Sequence, residues 1–311
     1  MLPITNNINA ALRDEGIHLA TTNVRFEKIL VGTDYSEGAA NALAEAITIA
    51  ETFGSELFLV HAVSPVVYSD ETYAVSPELL NVTLDSAKDT MAKCVAGEPR
   101  LRHLTWKTTV AYAGAAELIE QVADKEGVDL IVVASHGTSG IERLLLGSVA
   151  ETILRKTTRP VLIVGPQCCI EQNPFRSIVL ATDLKTTGLR AAQYASALAQ
   201  QFHARLTLLH VVEKRQSAEG RDSKVFEESI KKELQNLLPA KADELCMIER
   251  RVAYGVLAEA ILIAIEKNTA SLLVVGLRAR PVMSDHAAWS TLSNIIRQAK
   301  CGVLAIRGHL G

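Results

Sequence analysis

The 311-residue sequence lacks any uninterrupted apolar run approaching the roughly 18 residues of a membrane helix, and no basic segment followed by an apolar stretch opens it. Neither a membrane span nor a secretory leader is expected. Cysteine is sparse. The five residues (Cys94, Cys168, Cys169, Cys246 and Cys301) form no C-x-x-C pair, and their odd number argues against a secreted disulfide framework. A reducing, cytoplasmic setting follows, and the adjacent Cys168 and Cys169 read as small residues at a chain crossing rather than a redox pair. A surplus of positive charge is also missing: the formal net charge is −3, which leaves no electrostatic footprint for nucleic acid or an anionic membrane. There is no G-x4-G-K-[ST] loop, no second acidic strand end to hold magnesium and no obvious water-activating base, so dedicated phosphoryl-transfer machinery is not expected.

What is present is a globular balance, 48% hydrophobic and 22% charged, over a length suited to about two domains. The chain repeats itself. A shift of 149 residues lays Phe26 to Asp34 (FEKILVGTD) on Phe175 to Asp183 (FRSIVLATD) and, without a gap, His61 on His210. A second block matches at a shift of 142, pairing Asp129 to Ala134 (DLIVVA) with Ser271 to Gly276 (SLLVVG). The repeat divides the chain into an N-terminal arm over 1–25, a first domain over 26–165, a linker over 166–174 and a second domain over 175–308. The arm is polar and irregular, with one short helical stretch around Ala10 to Glu15.

Within the first copy, short β-branched runs at Lys28 to Gly32, Leu57 to Ala62, Thr105 to Ala111, Leu130 to Ala134 and Pro160 to Val164 alternate with amphipathic stretches. The latter predict helices over 36–53, 77–96, 114–126 and 147–157. Such alternation means βαβ crossovers, so each copy is expected to be a doubly wound α/β domain with a five-stranded parallel sheet. Ligands of such sheets bind beyond the carboxyl ends of the strands, where the winding reverses.

Two loops meet that description. The first is Gly32-Thr33-Asp34, in which Asp34 either accepts from a nucleoside or caps the following helix; for its repeat, Asp183, capping is favoured. The second follows Leu130 to Ala134 and reads SHGTSGIERLLLGSV, with Gly137, Gly140 and Gly147 and a helix opening at Ser148-Val149. Glycines let the backbone approach an anion, and the N–H groups and positive dipole end of a helix attract phosphate oxygens. His136 lies inside this loop and is a candidate to touch phosphate, whereas His61 and His210, repeated at equivalent strand ends, read as structural. Glu142 and Arg143 read as a surface pair.

At these residues the sequence resembles the universal stress proteins, whose ATP-binding members carry G-x2-G-x9-G-[ST]. Ala134, Gly137, Gly147 and Ser148 fall at the four positions with both spacings kept; Ala134 departs from the first glycine. The resemblance covers both copies and implies a Rossmann-like, adenine nucleotide alpha hydrolase-like fold in tandem. It further implies an adenine pocket near Asp34 and the backbone of Val60 to Val63. The second copy places Gly276, Ala279, Trp289 and Ser290 at the same positions, so a tryptophan and Pro281 are expected to block its cradle, and Arg278 and Arg280 read as a solvated basic loop. The expectation is an ATP-binding stress-response regulator. AMP or ADP are alternative ligands, magnesium is a possible companion of the nucleotide, and only the first domain is expected to bind. A slow ATPase or adenylyl-transferring enzyme and a nucleotide-free scaffold are the alternatives. By the same resemblance Val161 to Val164 and Val303 to Ile306 are expected to pair as an internal pseudo-dimer, with a homodimer and an unidentified protein as further partners.

Overall fold

A computed structural model describes residues 24–64, 77–137, 146–185, 188–213, 223–239, 242–278 and 286–308. Two units emerge: Arg25–Thr157 with Val161–Val164, and Gly165–Gly311 with Thr158–Pro160. Most of the N-terminal arm, with its expected helical stretch, lies outside the described residues, as do Gly140, Glu142, Arg143, Ala279, Arg280 and Pro281.

In the first unit five strands form, β1 (Lys28–Gly32), β2 (Glu56–Val63), β3 (Trp106–Tyr112), β4 (Leu130–Ala134) and β5 (Val161–Val164). They lie in the order β3-β2-β1-β4-β5 with every pair parallel. The apolar runs of β4 and β5 are buried on both faces, except for the half-buried end of β4, as befits a sheet covered by crossover helices. Those helices are α1 (Glu37–Phe53), α2 (Pro77–Ala96), α3 (Ala115–Glu126) and α4 (Ser148–Lys156). Ser36 starts α1 by accepting from the Ala39 amide, and Gly54 ends it at φ 70, a left-handed conformation that suits glycine. The described bounds lie within one residue of the expected ones. The sequence reading missed a short 3-10 helix, Pro99–His103, which proline opens.

The second unit repeats the plan with β6 (Ser177–Ala181), α5 (Leu189–Gln201), β7 (Arg205–Val212), α6 (Ser223–Asn236), a one-turn α7 (Ala242–Leu245), β8 (Met247–Tyr254), α8 (Leu257–Lys267), β9 (Leu272–Leu277), α9 (His286–Gln298) and β10 (Gly302–Arg307). Its strand order is β10-β9-β6-β7-β8, again parallel throughout. In each unit the chain winds outward one way from its first strand and then returns to the other side. The reversal falls between β1 and β4 in the first unit and between β6 and β9 in the second. The residues expected to serve as a linker are tied down at Cys169, whose amide donates to the Lys300 carbonyl at 2.9 Å. All five cysteines are free thiols. Among the described residues no helix is long and apolar enough to cross a membrane.

Candidate functional site

The loop after β1 is built by its own polar groups. The Thr33 amide donates to the Val60 carbonyl at 2.9 Å, its Oγ1 accepts from the Tyr35 amide at 3.1 Å, and its carbonyl lies 2.8 Å from His61 Nδ1. Thr33, expected to face a ligand, therefore has its amide engaged by β2 and its hydroxyl oxygen engaged by the loop's own Tyr35 amide. Gly32 serves close packing: a Cβ there would fall 2.7 Å from Ile119 Cδ1. Tyr35 adopts φ 63, and its ring lies over His61 with centroids 4.4 Å apart. Such a left-handed non-glycine residue costs about 1–2 kcal/mol, which this ring contact and the hydrogen bond from the Tyr35 hydroxyl to the Ala87 carbonyl help to offset. Burial, with the Cys94 thiol second, pushes the Tyr35 phenol up to about 12.

Beside Tyr35 lies Asp34, for which the sequence left ligand contact and helix capping open. Its Oδ1 accepts from the amide and the hydroxyl of Ser36 at 3.1 and 2.6 Å, so it steadies the residue that caps α1 rather than capping the helix itself. Its Oδ2 faces Gly137, where a Cβ would come to 2.5 Å. The carboxylate thus brings together the ends of β1 and β4, the two strands flanking the winding reversal.

The loop after β4 begins with Ser135, whose amide donates to the Val164 carbonyl and whose carbonyl accepts from the Gly147 amide at 2.8 Å. That second bond folds the far end of the loop back onto the strand, so Gly147 and α4 start directly above β4. A Cβ on Gly147 would fall 2.9 Å from the Ser135 carbonyl oxygen. Gly147 offers α4 no side-chain cap, and the helix opens at Ser148, Val149 and Ala150, whose amides are among the first-turn donors without a partner four residues back. Ser135 Oγ lies 2.9 Å from His136 Nδ1, and the opposite ring nitrogen, Nε2, is buried without a hydrogen-bond partner among the described residues. A buried unpaired nitrogen is uncommon in folded proteins.

Ala134 keeps strand pairing, opposite Val164. Room for its methyl comes from Gly38 in the first turn of α1, where a Cβ would fall 3.3 Å from Ala134 Cβ and 3.1 Å from the His136 carbonyl oxygen. The second unit reverses the pair, with Gly276 and Thr187 at the corresponding positions. Val63, at the end of β2, accepts from the Ala113 amide at 3.2 Å; its carbonyl retains a second lone pair.

The second unit reproduces four bonds of the first loop: Thr182 amide to Leu209 carbonyl, Leu184 amide to Thr182 Oγ1, Lys185 amide to Asp183 Oδ1, and His210 Nδ1 beside the Thr182 carbonyl. Its other loop differs. Under the 142-residue shift α4 and α9 end at equivalent residues, Lys156 and Gln298, but α9 begins four residues earlier, at His286. Trp289, expected where phosphate amides converge, is instead the fourth residue of a helix, and Ser290 the fifth. Amides that deep in a helix bond to carbonyls four residues back and are withdrawn from a ligand. The alignment by residue identity concealed this; Ser284-Asp285 just ahead of His286 was the available start signal.

The universal stress protein family model matches residues 25–165 and 174–307. The chain belongs to that family. Universal stress protein MJ0531 of Methanocaldococcus jannaschii is 31% identical over 139 residues, 45% of this chain and 82% of that protein. A universal stress protein structure from Archaeoglobus fulgidus covers 92% of this chain and all of its own at TM-score 0.66 and 19% identity, a likeness of fold. A universal stress protein solved in complex with cAMP aligns with 43% of this chain and 98% of its own, at 22% identity and TM-score 0.35.

Proposed function

We propose that the first unit of this universal stress protein family member binds ATP, with AMP or ADP as weaker ligands, and that the second unit does not bind nucleotide in this way. The reading rests chiefly on one observation: Asp34, Gly137 and the uncapped start of α4 converge above the ends of β1 and β4, while α9 extends through the equivalent position of the second unit. Phosphates lie against Gly137, Gly147 and the amides of Ser148 and Val149, where the helix dipole favours negative charge. His136 Nε2 supplies a further polar group on the loop side. Asp34 Oδ2 and the backbone at Val63 face the nucleoside. Magnesium accompanies the phosphates; among the described residues no cluster of metal-binding side chains would hold it alone. The protein acts as a regulator that responds to nucleotide occupancy rather than to turnover.

Calorimetric titration of nucleotide-stripped protein with ATP and magnesium tests this. One ATP per chain is expected, with affinity reduced at least a hundredfold by Gly147→Trp, which drives a side chain into the Ser135 carbonyl. Absence of binding in the parent, or unchanged binding in the variant, refutes the assignment. Multiple turnovers lost on the same substitution would replace the regulator with a slow ATPase.

A further inference from the structure

At three places near the carboxyl ends of its strands the second unit carries arginine where the first unit has another residue. Arg190 stands at the position of Asn41, Arg278 at that of His136 and Arg307 at that of Gly165. The three are linked in space. Arg307 Nη1 donates to the Arg278 carbonyl at 2.8 Å, and Arg190 Nη1 donates to the Arg307 carbonyl at 2.9 Å and to that of Thr158 at 2.8 Å. Arg278 leaves β9 and Arg190 lies in the first turn of α5, which follows β6, so they belong to the two strands flanking the winding reversal. Arg307 reaches from the end of β10 across the end of β9.

Exposure grades across the three, from the exposed Arg278 through the half-buried Arg190 to Arg307, which is only 5% exposed. Burial holds the Arg307 guanidinium below its ordinary pKa. Arg190 forms no ion pair among the described residues, and its guanidinium sits 5.7 Å from the Tyr194 ring centre. A guanidinium withdrawn from water interacts more strongly with an anion than an exposed one, and its planar fork matches two oxygens of a phosphoryl group. The withdrawn helix amides of α9 leave side chains as the remaining means of holding an anion here.

We propose that the second unit binds a phosphoryl oxyanion, as free phosphate or as a phosphomonoester, on Arg190, Arg278 and Arg307 at the carboxyl end of its sheet. This goes beyond the nucleotide reading of the first unit and does not depend on it. The second copy has exchanged a backbone cradle for arginine forks.

Calorimetric titration of the full chain with inorganic phosphate, at ionic strength held constant with chloride, decides the matter; glycerol 3-phosphate runs in parallel, and the tighter ligand of the two identifies the source. Saturable binding is expected, weakened more than tenfold in an Arg190→Gln/Arg278→Gln variant of unchanged melting temperature. Arg307→Lys, which keeps the charge and loses the fork, is expected to weaken it as well. No saturable heat, or equal affinity in the double variant, overturns the proposal. Gly147→Trp separates the two sites: phosphate binding by the arginines survives it. If the parent fails to bind ATP, the first-unit assignment falls and the phosphate titration still stands or fails by itself.

Discussion

The loops after β1 and β6 share four hydrogen bonds at equivalent positions, whereas the helices that follow β4 and β9 start a full turn apart. The contrast separates two kinds of constraint within one repeated sequence. Apart from the exposed bond between Lys185 and Asp183, the shared bonds satisfy buried or half-buried groups and hold the ends of neighbouring strands, so a copy that lost them would leave those groups unpaired at up to about 1–3 kcal/mol each. At the helix start above β4 the Gly147 amide bonds the Ser135 carbonyl, and the first-turn amides after it have no helical carbonyl four residues back. A copy without a ligand to bind there can extend its helix and satisfy those first-turn amides within it, as α9 does.

Four substitutions, in three tests, sharpen or break that contrast. The largest effect is expected at Gly137, where the second unit has Ala279. Gly137→Ala must displace the Asp34 carboxylate, which Ser36 holds from the other side, and should weaken ATP binding at least tenfold, about 1.4 kcal/mol; an unchanged dissociation constant would show that Asp34 and the loop do not act together. Next comes the reciprocal pair. Gly38→Thr copies the second unit and should push the His136 backbone away, lowering ATP affinity several-fold and the melting temperature with it. Adding Ala134→Gly removes one of the two close contacts and should recover part of both; failure of the double variant to recover would mean that the two positions are independent.

The smallest effect concerns Tyr35, whose counterpart in the second unit is Leu184. Its phenol is raised to about 12 by burial and the nearby Cys94. A raised folded-state value means that the stabilisation tied to the protonated phenol is complete below the unfolded value near 10 and is lost as pH climbs through the folded value. Phenolate absorbance should therefore show a last step near pH 12 that Tyr35→Phe removes, together with its share of the alkaline loss of stability. A last step that persists in the variant assigns it to another tyrosine.

Much of this was legible in the residues themselves. The repeat, the five strands per copy and their helices follow from local periodicity, and the bounds agree to within a residue because Ser36, Gly54 and Gly127 mark helix ends by rules that need no distant partner. His61 and His210 could be read as structural because they recur in both copies. The internal bonds of Thr33 could not be read, since a threonine after a strand looks the same whether or not its hydroxyl oxygen accepts from its own loop. The early start of α9 was hidden by aligning Ser290 with Ser148, although an acceptor side chain just ahead of His286 signalled it.

The sequence by itself determined the two-unit α/β plan, the strand and helix positions and family membership through the glycine spacing, because side-chain period, capping and turn preference act over a few residues. Only the tertiary structure decided that Asp34 meets Gly137, that Gly38 makes room for Ala134 and that Arg190, Arg278 and Arg307 assemble at one sheet end. These residues are neighbours because strands far apart in the chain lie side by side, and strand order, rather than any local preference, fixes which loops share a strand end.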